Sequence, residues 1–156
     1  RRVKRLQSIG LKCIVVNHAF DERVDGNFIQ THTKTQFPAI KTNNLFSLNY
    51  KNYNAIIIDE AQFFTNLCSF VRTNLKHNKY IIVVGLTGDF QATLMGSMHE
   101  LIPVADEICL LKAYCKECAD GTPAIFSKRL TPNKNTICIG DDKDYMAVCR
   151  KHFHSN

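Results

Sequence analysis

Two sets of residues in this chain are of types that do chemistry. The first lies in NAIIIDEAQFF, Asn54 to Phe64, where Asp59 and Glu60 stand side by side at the end of an apolar run. Four apolar residues ending in Asp-Glu match the second nucleotide-binding motif of phosphate-loop proteins. There the first acid holds Mg2+ and a following acid can serve as a base. A strand that runs into a solvated acidic turn has the same pattern. The second set is Cys115-Lys-Glu-Cys118 with Cys149-Arg-Lys-His152, two knuckles with 30 residues between them. Three thiolates and an imidazole close a tetrahedral structural zinc site. His154 competes with His152 for the fourth position.

The run Ile81–Leu86 leads into TGDFQ, which delivers Thr87, Asp89, Phe90 and Gln91 to a second strand end. Ligands of open α/β sheets gather at the carboxyl ends of strands. Phe90 could stack on a base there or belong to the core. Phe63 and Phe64 share that ambiguity, and one of the two is expected to face inward. The 30 residues between the knuckles form a loop pinned at its base by the metal, suited to a ligand lid or to a partner-binding finger.

The elements that must position these groups follow from pattern. Cys13–Val16, Ala55–Ile58 and Ile81–Leu86 are apolar throughout, as strands buried on both faces are. Ile108–Leu111 and Thr136–Ile139 are further β-branched runs. Leu67, Phe70, Val71 and Leu75 recur at helical spacing within residues 66–78, so strand, helix and strand form a parallel crossover unit. Arg1–Ser8 reads as the end of an amphipathic helix closed by Gly10. Residues 21–49 are polar, with at most one short strand.

The chain has 156 residues, 45% of them hydrophobic, which is one domain's worth with a small appendage. No run reaches the length of a membrane span, and RRVKRLQSIG lacks the apolar core of a signal peptide. A net charge of +6 suits anionic partners without specifying one. Seven cysteines, an odd count without an export signal, favour reduced thiols or a metal over a disulfide framework. Cys13, Cys68, Cys109 and Cys138 lie in or beside apolar runs and read as core thiols.

Together the acidic pair, TGDFQ and the knuckles resemble the thymidine kinases of the cellular and poxvirus type, as distinct from the herpesvirus type. The matching stretches are RRVKR, DER with THT following, IIIDEAQFF, LTGDFQ, LIPVADEI, LLKAYCKEC, FSKRL and DDKDYMAVCRKHF, in family order over essentially the whole chain. The resemblance implies a P-loop NTPase, RecA-like α/β fold, a parallel sheet with helices on both faces. Residues 1–112 would be the nucleotide-binding domain and residues 113–156 a zinc-ribbon lobe carrying a lasso loop. Glu60 would take the proton from the nucleoside 5′-hydroxyl. Asp59 would organise Mg2+, and Asp21 with Arg23 would face the triphosphate of ATP. Gln62 and Phe63 would lie by the nucleoside, with Leu86 and Phe90 as its apolar wall. Ser127 would sit near the base and Tyr145 near the deoxyribose. Thr136, Ile137, Cys138 and Ile139 would supply part of the lasso's backbone grip on thymine. His32 matches the family's Thr-His and is read as structural.

The resemblance further implies thymidine and ATP as substrates, a homotetramer, dTTP as feedback inhibitor and a cytoplasmic location. Membrane and nucleic acid are not expected partners. One departure is large: no Gly-Lys-Ser/Thr phosphate loop precedes RRVKR. The expectation is that the chain as it stands binds ATP poorly and that the natural protein begins about 20–30 residues earlier. Met95 stands where an aromatic is common, the lasso is about two residues longer than usual, and His152 replaces the commoner fourth cysteine. Two rivals remain: a nucleic-acid-stimulated ATPase of helicase type, from the DEAQ sequence, and a non-enzymatic zinc-ribbon nucleic-acid-binding module, from the knuckles and a pI of 9.0.

Overall fold

A computed structural model describes residues 2–21, 26–30, 35–131 and 144–155. It divides the chain into two compact units, Arg1–Thr87 with Gly96–Pro103 and Gly88–Met95 with Val104–Asn156. The first unit contains α1 (Arg2–Ser8), β1 (Cys13–His18), β2 (Phe28–Gln30), β3 (Gln36–Pro38), β4 (Ile40–Thr42), β5 (Ala55–Asp59), α2 (Leu67–Asn74) and β6 (Tyr80–Val83). Four of its strands make one parallel sheet in the order β4-β1-β5-β6. The expected crossover is present, with α2 joining β5 to β6.

Asn54 sets the sheet's register. Its N–H donates to Lys12 O at 2.8 Å, its Oδ1 accepts from Lys12 N–H at 2.9 Å, and its O accepts from Tyr80 N–H at 3.0 Å. One side chain and its backbone therefore fix where β1, β5 and β6 start. On one face Val15, Ala55 and Ile57 bury with Ala39 against Val3 and Leu6 of α1 and Ile29 and Phe37 of the β2–β3 hairpin. Side chains alternate along a strand, so Ile14, Val16, Ile56 and Ile58 point to the opposite face, where they are equally buried. In α2 the buried residues are Leu67, Phe70, Val71 and Asn74, the i, i+3, i+4, i+7 stripe of an amphipathic helix. Phe70 meets Phe46 and Tyr50 edge-on, at 5.4 and 5.2 Å between centroids.

Several expectations need correction. The described residues of 21–49 carry three short strands rather than at most one. β2 and β3 form a hairpin, and β4 joins the main sheet through its backbone while Ile40 stays exposed, so hydrophobic pattern could not announce it. The third long apolar run forms a strand only over Tyr80–Val83, and β6 is half-exposed because it lies at the outer end of this sheet. Ile108–Leu111 form no strand; among the described residues they pair with none, β propensity alone does not order them, and Ile108, Leu110 and Leu111 are exposed. Cys109 is likewise exposed, while Cys13 and Cys68 are half-buried. Arg23, His32, Thr136, Ile137, Cys138 and Ile139 lie outside the described residues.

The second unit contains β7 (Ala113–Tyr114), β8 (Pro123–Ala124), β9 (Phe126–Arg129), β10 (Tyr145–Val148) and α3 (Arg150–His154). β7–β8 and β9–β10 are antiparallel pairs. Its core is small: Cys115, Ala124, Val148 and Cys149 are buried, with Phe126 stacked on Phe153 at 4.4 Å. Lys128 reaches from β9 to the end of α3 and donates to His152 O and Ser155 O.

Candidate functional site

Asp59 is the last residue of β5 and lies beside Asn17 of β1 in the parallel register. Asn17 is fully buried and donates from Nδ2 to Asp21 Oδ2 at 2.8 Å. Lys41 Nζ donates to Asp21 O, also at 2.8 Å. The sheet thus brings Asp59 and the buried Asp21 to one carboxyl edge. Asn17 Oδ1 is buried there without a hydrogen-bond partner among the described residues. Asp21 itself is 7% exposed.

Glu60 follows with φ 50° and ψ 41°, the left-handed region that a non-glycine residue enters only at a cost. The turn is held by the Ala61 N–H donating to Val84 O at 3.0 Å. The Glu60 side chain is held by Gln62, whose Nε2 donates to Glu60 Oε2 at 2.7 Å. Gln62 is buried, and its Oε1 accepts from the Leu86 N–H at 3.0 Å. Phe64 is the member of the Phe pair that faces the core, and Phe63 is half-buried. His18, which pattern did not single out, packs edge-on against Phe64 at 4.6 Å and lies 5.7 Å from Phe63. Burial pulls its pKa below the ordinary histidine value. Leu86 is half-exposed.

In the second unit, Asp89 organises the TGDFQ loop. Its Oδ1 accepts from the N–H groups of Gln91 and Thr93 and its Oδ2 from the Thr93 hydroxyl, at 2.7–2.9 Å. Partial burial would raise this carboxyl, but Thr93, Gln91 and the charge of Arg129 outweigh it and hold it below the usual range. Asp89 is therefore occupied in shaping the loop that presents Phe90. Arg129 lies 3.7 Å over the Phe90 ring and 5.1 Å from the Tyr145 ring, and it donates to the Tyr145 hydroxyl. Arg129 and Tyr145 are cross-strand partners in β9 and β10, with Ser127 two residues along the same strand. No chemistry had been assigned to Arg129 from sequence. Its one signal was its place in FSKRL.

The knuckles converge. Cys115 Sγ, Cys118 Sγ, Cys149 Sγ and a His152 nitrogen lie within 4.8 Å of one another. Cys118 Sγ and Cys149 Sγ are 3.8 Å apart, and His152 Nδ1 lies 3.5, 3.4 and 3.6 Å from the three sulfurs. Tetrahedral zinc with Zn–S of about 2.3 Å and Zn–N of about 2.05 Å has edges of about 3.8 Å between sulfurs and about 3.6 Å between sulfur and nitrogen. The donor set fits that ion in both chemistry and spacing. Burial alone would push the Cys115 thiol up, yet hydrogen bonds from the Cys149 and Cys118 backbone and from His152 hold it at about 6. Burial and the adjoining thiols push Cys118 up to about 11. A thiolate at Cys118 beside Cys115 is therefore disfavoured, a cost that a divalent cation would offset. His154 is exposed and packs edge-on against Phe153 and Phe126, outside this donor set.

Among the described residues no helix is long and apolar enough to cross a membrane. Compared with known families, residues 1–153 match the model described as thymidine kinase. The chain is 37% identical to the thymidine kinase of fowlpox virus (strain NVSL), covering all of this chain and 88% of that protein. It is 38% identical to that of sheeppox virus (strain KS-1), covering 97% and 85%, and 39% identical to that of myxoma virus (strain Uriarra), covering 97% and 84%. A match that spans both the acidic strand end and the metal knuckles does not favour a helicase-type ATPase or a free-standing zinc ribbon. The chain belongs to the thymidine kinase family.

Proposed function

We propose that the protein transfers the γ-phosphoryl group of ATP to the 5′-hydroxyl of thymidine, giving dTMP. The observation that carries this reading is the family match over both units together with an acidic pair at a parallel strand end. Phosphoryl transfer needs alignment and charge neutralisation more than covalent help. Glu60 accepts the hydroxyl proton. Asp59, Asp21 and Arg23 face the magnesium complex of ATP, which is the second substrate; carboxylate oxygens are hard donors suited to that ion. Phe63, Leu86, Phe90, Ser127, Tyr145 and the backbone of 136–139 hold the nucleoside. The RecA-like nucleotide-binding part takes in residues 1–112, and residues 113–156 form the lasso-bearing part. Zinc at Cys115, Cys118, Cys149 and His152 is structural and ties α3 to the β7–β8 hairpin. A homotetramer, inhibition by dTTP and a cytoplasmic location complete the reading on the strength of the resemblance.

The test is a phosphoryl-transfer assay on the complete protein against thymidine, deoxyuridine and deoxycytidine. Thymidine is expected to be the best acceptor. ATP hydrolysis that ignores all three nucleosides and responds to oligonucleotides would replace the kinase reading with the ATPase one.

A further inference from the structure

Gln62 was expected beside the nucleoside, but its surroundings assign it elsewhere. The side chain is 6% exposed, and both ends of its amide are engaged. Nε2 donates to Glu60 Oε2 at 2.7 Å, and Oε1 accepts from the Leu86 N–H at 3.0 Å. Two glycines lie hard against it. A Cβ at Gly85 would collide with Gln62 Oε1, and one at Gly96, where φ is +64°, would collide with the Gln62 backbone. Two glycines are thus placed where only a missing side chain lets Gln62 sit. Glu60 itself occupies a left-handed backbone position, which fixes where its carboxylate starts, and the amide fixes where it ends.

We infer that Gln62 is a positioning residue that holds the Glu60 carboxylate, locked in turn by the Leu86 N–H and the close approach of Gly85 and Gly96. The inference rests on the kinase reading only in naming what the carboxylate does. In a buried site an amide donor selects one carboxylate rotamer, so the base meets its substrate already aimed. The chain Leu86 N–H, Gln62, Glu60 also couples the end of β6 to the end of β5, so the loop after β6 and the base move together.

A double-mutant cycle tests this. Gln62→Met keeps the volume and removes both hydrogen bonds, and kcat is expected to fall on the order of 10- to 10²-fold with the thymidine KM little changed. In a Glu60→Gln background the same substitution should add almost nothing, because Gln62 acts through Glu60. Gln62→Glu is the second variant, retaining the acceptor for Leu86 while replacing the donor that faces Glu60; it should reproduce the kcat loss should Gln62→Met fold poorly. A rise in KM at unchanged kcat returns Gln62 to the nucleoside, and losses that multiply in the cycle overturn the positioning role. A readout without turnover separates the two claims. In a 1H–15N spectrum the Gln62 side-chain amide protons should exchange slowly with solvent in the wild type and rapidly in Glu60→Ala. An inactive wild type with a slow amide sinks the kinase reading alone, whereas a fast-exchanging amide in the wild type sinks this inference.

Discussion

Two neighbouring acids on one strand end have different backbones, and that difference separates their surroundings. Asp59 ends β5 in extended conformation beside Asn17, whereas Glu60 turns left-handed and is gripped by Gln62. Backbone strain of this kind persists where the surroundings over-determine it. Replacing Glu60 by Gln keeps the turn and the volume and removes the carboxylate proposed as the base, so turnover with thymidine should fall about 10²- to 10⁴-fold with little change in melting temperature. Near-normal turnover would take Glu60 out of that role. A second residue-scale outcome concerns Arg129, which covers Phe90 at 3.7 Å and donates to Tyr145. A guanidinium over a ring contributes about 0.5–2 kcal/mol, so Arg129→Ala should raise the thymidine KM roughly 2- to 30-fold by freeing both aromatics. Arg129→Lys should recover little of it, because an ammonium does not stack as a plane. An unchanged KM in both variants would make the stack incidental.

At the scale of elements, what could be read from sequence was the apolar strand. Ala55–Asp59 and its crossover α2 were legible because burial on both faces leaves a continuous apolar run and a buried helix face repeats at 3.6 residues. Ile56 is fully buried in the middle of that strand, and Ile56→Ala should cost about 2–5 kcal/mol of stability, measured by denaturant unfolding. The polar strand β4 was not legible, because it pairs through backbone groups that every sequence carries. Nor was the TGDFQ loop, whose shape comes from side chain-to-backbone bonds and not from periodicity. Sequence placed Asp89 only at a strand end; the structure spends both its oxygens on Gln91 and Thr93. That carboxyl is held below its usual range, so its contribution is present above about pH 4 and is lost as pH falls below that value. The melting temperature of Asp89→Ala should therefore lie below that of the wild type near neutrality, and the gap should close on acidification. A gap that widens below pH 4 would contradict the assignment, the ordinary aspartate pKa being about 3.9.

For the whole molecule, the two units hold together by different physics. The first buries both faces of a sheet, whereas the second has, among its described residues, a four-residue buried core in which two members, Cys115 and Cys149, are also candidate metal donors. A metal ion at this donor set would add to so small an apolar core, because binding at a structural site contributes directly to folding. One zinc per chain is expected by elemental analysis. A chelator should unfold the second unit, and acid should do the same by protonating the ligands. The fourth donor decides how much of this is specific. His152 Nδ1 sits at tetrahedral distances from three sulfurs, while His154 is occupied in ring contacts with Phe126 and Phe153. His152→Ala should thus lose tight metal binding, and His154→Ala should retain one zinc with at most a modest loss of stability. The reverse pattern would move the site by two residues, and a metal-free preparation that stays fully folded would remove zinc from the account of this fold.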